Sequence, residues 1–186
     1  MPHTALRPLA FEGFSDLTVL HVCRHMRRVD AEEVFAMRPD ADAFALYRDI
    51  AALGGRHLWF EVVRPATAMQ PIALFGVVGT SPGCGLAHMI ATDDLTAGDA
   101  RQIVARIHSA VAPVMLDHGL HRIEALALSS HRWAHRFLRA CGALPEGPPR
   151  RATGKCGEDF QAFVWLRDDF TRRFSPSTAP DPVPFK

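Results

Sequence analysis

Three strand-like runs follow one another in the middle of this chain, and one long helical pattern succeeds them. HLWFEVV (57–63) alternates, with Leu58, Phe60 and Val62 on one face. PIALFGVV (71–78) is apolar on both faces, as a central strand is. LAHMIAT (86–92) follows the turn TSPGCG. The helical pattern covers 97–118, with Thr96 and Asp99 as its N-cap and Ile103, Val104, Ile107, Val111, Val114 and Met115 as its apolar stripe. Pro113 lies inside it and is expected to kink it. Consecutive strands joined by short turns are most simply antiparallel neighbours, while strand–helix–strand pieces make parallel crossovers.

The flanks complete the pattern. TVLHVCRH (18–25) suits a strand in its β-branched content. Asp30, with Glu33 three residues on, marks a capping-box start to a short helix that Pro39 stops. A second helix starts near Ala43, carries Leu46, Tyr47, Ile50 and Leu53 at helical spacing, and ends at Gly54 and Gly55. RIEALAL (122–128) is a further strand. Ser130 is the expected N-cap of a helix with Trp133, Ala134, Phe137, Leu138 and Cys141 on its buried side, closed by Gly142. A Pro/Gly/Arg-rich loop follows over 143–157, with a short flanking strand left open, and DFQAFVWL (159–166) is the last strand. The expected fold is therefore α/β: a mixed sheet in the order strand, helix, helix, three strands, helix, strand, helix, strand, with helices on both faces. The expected division is an extended N-terminal arm at 1–16, one domain at 17–167 and a Pro-rich tail at 168–186.

Charge and cysteine content narrow the function classes. Lys plus Arg is 21 against 20 for Asp plus Glu, a net charge of +1, which excludes a strongly basic nucleic-acid coat. No apolar run reaches the roughly 18–20 residues of a membrane span, so no membrane partner is expected. The opening MPHTALRPLAFEGF lacks a charged start followed by an apolar core, so no secretory signal is expected. Cys23, Cys84, Cys141 and Cys156 form no CxxC pair and are expected as reduced thiols in a cytoplasmic compartment. His131 and His135 are four apart, but a zincin helix needs Glu between them where this chain has Arg132, and no metal site is expected.

The element order, together with LSSHRWAHRFLRACGA (128–143), resembles the GCN5-related N-acetyltransferase (GNAT) superfamily over about 17–167. The family's helix after the fifth strand often reads N-x-x-A-x-x-x-Y-x-x-x-G-F. Aligned on Ala134 and Gly142, this chain has His131 at the Asn position, Leu138 at the Tyr position and Ala143 at the Phe position. HMRRVDAEEVFAMRP is similar to the family's start. More narrowly, MRRVDAEEV, PIALFGVVG, RFLRACGA and GEDFQAFVW resemble GNAT-like proteins of short-tailed bacteriophages and prophages, some of them internal virion or assembly proteins.

The resemblance implies acetyl-CoA as cofactor, its pyrophosphate held by backbone N–H groups between the fourth strand and the long helix. Here that stretch is ATDDLTAGDAR (91–101), in which Ala91 and Gly98 are the candidate contacts and no second glycine is present. Asp93, Asp94 and Asp99 put carboxylates there, and each costs about 1 kcal/mol at ~4 Å from a phosphate charge in water. The plainer reading is a solvated turn with Asp99 at the helix start. Leu138 cannot supply the proton that the family's tyrosine gives to the departing thiolate, a role left to water, His131 or Ser130.

Glu61, His88 and Glu124 are the candidate general bases, since all three lie on expected strands and burial can tune such groups. Each is equally a structural residue of a half-buried strand. Arg132, Arg136 and Arg139 share one side of the helix after the fifth strand and, with His131, are the remaining candidates for the cofactor, as a phosphate clamp. The alternative is a solvated helix face. Without aromatic platforms between the arginines, nucleic acid ranks below CoA as a ligand.

Two functions follow. The first is a phage-type GNAT-like protein with weak or lost acetyl transfer, acting through contacts of its tails with other virion or assembly proteins in a bacterial host's cytoplasm or in the virion. Phe174, Val183 and Phe185 in the Pro-rich end suit such docking, and a homo-oligomer is left open. The second is an active acetyl-CoA-dependent N-acyltransferase acting on an amine of a protein or small molecule.

Overall fold

The structure is a computed structural model that describes residues 6–169. Its strands are β1 (Leu9–Glu12), β2 (His57–Pro65), β3 (Ala73–Ser81), β4 (Cys84–Ala91), β5 (Arg122–Leu128), β6 (Leu144–Arg150) and β7 (Phe160–Leu166). Its helices are α1 (Asp16–Arg24), α2 (Arg28–Ala36), α3 (Ala43–Leu53), α4 (Ala97–Asp117) and α5 (Arg132–Ala140). One sheet takes all seven strands in the order β1-β2-β3-β4-β5-β7-β6. Neighbours are antiparallel except β4 and β5, which α4 connects in parallel.

Strand periodicity sends alternate residues to two cores. On one face, Val19 and Val22 of α1 and Leu46 and Ile50 of α3 bury against Val62, Leu74 and Ile90. On the other, Ile103, Ile107 and Val111 of α4 and Phe137 of α5 bury against Phe75, Val77, Ile123 and Trp165. The mixed sheet covered on both faces is the architecture the sequence pattern implied. Thr96 and Asp99 form the capping box expected at the start of α4, which continues through Pro113. Among the described residues, no helix is long and apolar enough to cross a membrane, and no group of three or more His, Cys, Asp or Glu side chains is placed to hold a metal ion.

Several elements differ from expectation. Residues 18–25, expected as a strand, lie in α1 apart from its C-cap His25, because Val19, Val22 and Cys23 recur at i, i+3 and i+4 and are all buried. The first strand is instead β1, within the stretch expected to be a free arm, and it pairs with β2 from Leu9↔Pro65 to Glu12↔Val62. Asp30 and Glu33 make no capping box: α2 begins at Arg28, and both carboxylates reach the sheet. Ser130 is not the N-cap of α5, whose N-cap is His131. The expected crossover into the last strand is antiparallel, because the chain first runs out to β6 at the sheet's edge and β7 returns between β6 and β5. Most of the tail expected at 168–186, with Phe174, Val183 and Phe185, lies outside the described residues.

Candidate functional site

The parallel pair β4–β5 is joined only at Cys84↔Arg122, Gly85↔Ile123 and Leu86↔Glu124. Beyond these the strands part, and the backbone groups toward their C-terminal ends need other partners. Helix α2 supplies them. Asp30 Oδ2 accepts the Ala91 N–H at 2.8 Å, and the Arg27 N–H donates to the Ala91 carbonyl at 2.8 Å. Glu33 Oε2 accepts the Leu128 N–H at 2.8 Å. One turn of helix thus ties the end of β4 to the end of β5. A buried N–H left without a partner costs about 1–3 kcal/mol, so these bonds keep the gap stable while it stays open. Burial pushes the Asp30 carboxyl up, against the opposing pull of Arg27, which pairs with it at 2.7 Å, and of the Ala91 N–H.

Inside the gap is a cavity of about 90 Å³, several times what a single water needs. Val77, Ala87, Met89, Ala125, Ala127 and Phe137 give it apolar walls, and Leu138 also faces it. His88 on β4 and His131 at the start of α5 are among the lining residues, and each has a buried Nε2 without a hydrogen-bond partner among the described residues. The His88 ring packs beside His57 and Phe60, on the sheet face that α1 and α3 cover. Burial pushes His88 down to about 4, with His57 adding to the effect. His131 differs because its Nδ1 lies 3.0 Å from Glu33 Oε2. That hydrogen bond raises its pKa, aided by the charges of Glu33 and Asp30 and opposed by burial and Arg27. The Arg27 guanidinium lies 4.5 Å from the centre of the Trp133 ring, which also borders the cavity.

The structure separates the residues that the sequence singled out. Of the candidate bases, only His88 lines the cavity. Glu61 on β2 is gripped by the Arg106 guanidinium of α4, with the Trp59 indole N–H donating to it at 3.1 Å. Glu124 stands at the closed end of the gap, with Arg122 on one carboxylate oxygen at 2.6 Å and Arg150 on the other at 2.9 Å. Their oxygens are engaged as ion pairs.

Of the candidate cofactor contacts, Ala91 has both backbone groups bound by α2. Gly98 lies under Leu6: a Cβ there would come 2.9 Å from Leu6 Cδ2. The neighbouring Arg7 binds Asp99 and donates to the Asp94 carbonyl at 3.0 Å. Burial opposes ionisation of Asp99, but hydrogen bonds from Arg7 and Thr96 outweigh it and hold the carboxyl below its usual value. Asp99 is therefore a buried structural anion. Arg132 and Arg136 are exposed on α5 and form no ion pair among the described residues, while the Arg139 guanidinium lies 5.9 Å from the centre of the Phe163 ring. Sequence reasoning missed Arg7, Arg27, Asp30 and Glu33 as parts of this region. The spacing of Asp30 and Glu33 was visible, but it pointed to a local helix cap.

No protein-family model and no curated protein matches the chain in sequence. Solved structures match it closely in shape. A spermidine N-acetyltransferase from Vibrio cholerae, solved with CoA and spermine, superposes with a TM-score of 0.67 at 16% identity, over 87% of this chain and 97% of that one. A ribosomal-protein-S5-alanine acetyltransferase from Vibrio fischeri gives 0.63 at 15%, over 87% and 94%. A GNAT-family acetyltransferase from Bacillus anthracis gives 0.65 at 11%, over 88% and 98%. At these identities the likeness is one of fold, and the fold is that of the GNAT acetyltransferases.

Proposed function

We propose that this GNAT-fold chain transfers a short acyl group from a thioester of the acetyl-CoA type to an amine, in the cavity between β4 and β5. The observation that carries this reading is the apolar cavity held open between the parted β4 and β5, with His131 in its lining, whose buried Nε2 has no hydrogen-bond partner among the described residues. A buried polar atom without a partner costs on the order of 1–3 kcal/mol, and a catalytic role is one of the explanations for such a cost. The cavity has room for a small group such as an acetyl. A protein of the same fold, the spermidine N-acetyltransferase, was solved with CoA.

The residues fit the two ends of such a donor unequally. The cavity suits its acyl end, and the exposed Arg132 and Arg136, without an ion pair among the described residues, suit phosphate oxygens. The first turn of α4 does not suit a pyrophosphate while Leu6 and Arg7 lie across it, and no step is built on that turn. The chain's own contribution is to exclude water with apolar walls and to present the His131 imidazole to the reacting groups.

The test is a thermal melt with and without acetyl-CoA, followed by thiol release with spermidine or an alanine-first peptide as acceptor. Saturation at ~100 times Kd stabilises by about 2.7 kcal/mol, a shift of roughly 5–10 °C for this size. Absence of both the shift and the release overturns the reading.

A second reading, a GNAT-fold protein with weakened or lost transfer that works through contacts in a virion or its assembly, is favoured by one specific feature. The backbone groups of Ala91 and the turn at Gly98 are already taken by this chain's own α2 and N-terminal segment. No melt shift, together with detection of the chain by mass spectrometry in purified particles, would select it.

A further inference from the structure

We propose that His131 is the acid–base residue of the transfer and that Glu33 is its positioning residue, an assignment that rests on the transferase reading above. The side chain of His131 is 9% exposed, at the mouth of the gap. Its Nδ1 faces Glu33 Oε2, the same oxygen that accepts the Leu128 N–H. An ionised carboxylate only accepts, so this contact fixes a proton on Nδ1 and directs Nε2 to the other side of the ring. His131 is one of the residues lining the cavity, and its buried Nε2 has no hydrogen-bond partner among the described residues.

The groups facing the imidazole are Arg27 at the N-cap of α2, Asp30 and Glu33 within α2, and Trp133 of α5. The hydrogen bond to Glu33, with two carboxylates against one guanidinium, favours the charged ring and raises the basicity of His131 above that of an ordinary imidazole. His88 lacks such neighbours and, held down to about 4, is too weak a base for the same work. Leu138, on the same cavity, has no proton to give.

The proton moves as follows. The amine nitrogen forms its bond to the carbonyl carbon as the carbon–sulfur bond breaks. The proton shed by nitrogen goes to His131 Nε2 and passes from there to the departing sulfur, which leaves as a thiol. The imidazole ends as it began, and Glu33 takes no part in the proton's path.

The experiment uses the full chain with His131→Gln and Glu33→Gln, acetyl-CoA as donor, and spermidine and an alanine-first peptide as acceptors. His131→Gln is expected to lower kcat at least about 100-fold with little change in the KM for acetyl-CoA. Glu33→Gln keeps an acceptor for the Leu128 N–H but loses the charge. It is expected to move the rising limb of the kcat/KM profile to lower pH, and the NMR titration of the His131 ring with it. Should His131→Gln fail to fold, the Glu33→Gln profile and titration decide alone. An unchanged rate in folded His131→Gln, or an unmoved limb in Glu33→Gln, overturns the assignment and leaves the transferase reading standing. No thiol release from the wild-type chain overturns that reading, and the assignment falls with it.

Discussion

His88 and His131 share a cavity and differ in what surrounds them, and the difference predicts opposite responses to pH. His88 prefers to be neutral in the folded chain, with a pKa of about 4 against an ordinary 6.5. Between those values the unfolded chain binds more protons, so stability rises with pH through the window and is lost as pH falls through it. The full shift corresponds to about 3 kcal/mol. His131, with a raised pKa, has the opposite sign: its contribution is present at low pH and fades as pH rises past its folded value. Urea melts at pH 5 and 7 check this. The wild type is expected to lose more stability at pH 5 than His88→Leu does, and equal losses would remove His88 as the cause. The residue types at 61, 88, 124 and 131 were legible as chemistry from the sequence alone. Their partners were not: Arg106 lies 45 residues from Glu61, and Glu33 lies 98 from His131. Which carboxylate is engaged and which imidazole is left open is decided by contacts that local spacing does not contain.

At the scale of elements, the runs at 57–63, 71–78, 86–92, 97–118, 122–128 and 159–166 announced themselves by their apolar patterning, one-faced where a single face is buried and continuous where both are, as in 71–78. Misreadings came where two signals conflicted. The β-branched residues of 18–25 suggested a strand, while burial at helical spacing made a helix. β6 contains Pro145, Pro148 and Pro149, which argue against a strand, yet it forms because it is an edge and needs donors on one side only. Helix α2 is the most consequential case. Its Asp30 and Glu33 carboxylates stand one turn apart, at the spacing of a cap, but they serve as partners for the ends of two strands that have parted there. Asp30→Ala would leave the Ala91 N–H without its acceptor and the largely buried Arg27 guanidinium without its carboxylate. The expected loss is on the order of 3 kcal/mol by chemical denaturation. A loss too small to resolve would mean that α2 does not hold the gap.

At the scale of the whole molecule, the sheet is continuous except at the β4–β5 gap, and the chain's N-terminal segment reaches from the far edge of the sheet to the helix beside that gap. Residues 9–12 extend the sheet as β1, and just before them Leu6 and Arg7 lie across the first turn of α4. The two residues act in different ways. Arg7 neutralises Asp99, which is fully buried, so Arg7→Ala is expected to cost about 2 kcal/mol without any ligand and to expose an anion where a phosphate would approach. Leu6 covers Gly98 and is itself 52% exposed, so Leu6→Gly costs little and opens the turn while keeping the guanidinium in place. The melt shift produced by a fixed concentration of acetyl-CoA is therefore expected to grow in Leu6→Gly and to shrink in Arg7→Ala, relative to the wild type. Equal shifts in all three would mean that the donor's phosphates are held elsewhere, with Arg132 and Arg136 of α5 as the next residues to replace. No shift in any of them would mean that opening the turn does not restore donor binding, and a fold built around an open gap would then have to be explained by a different ligand.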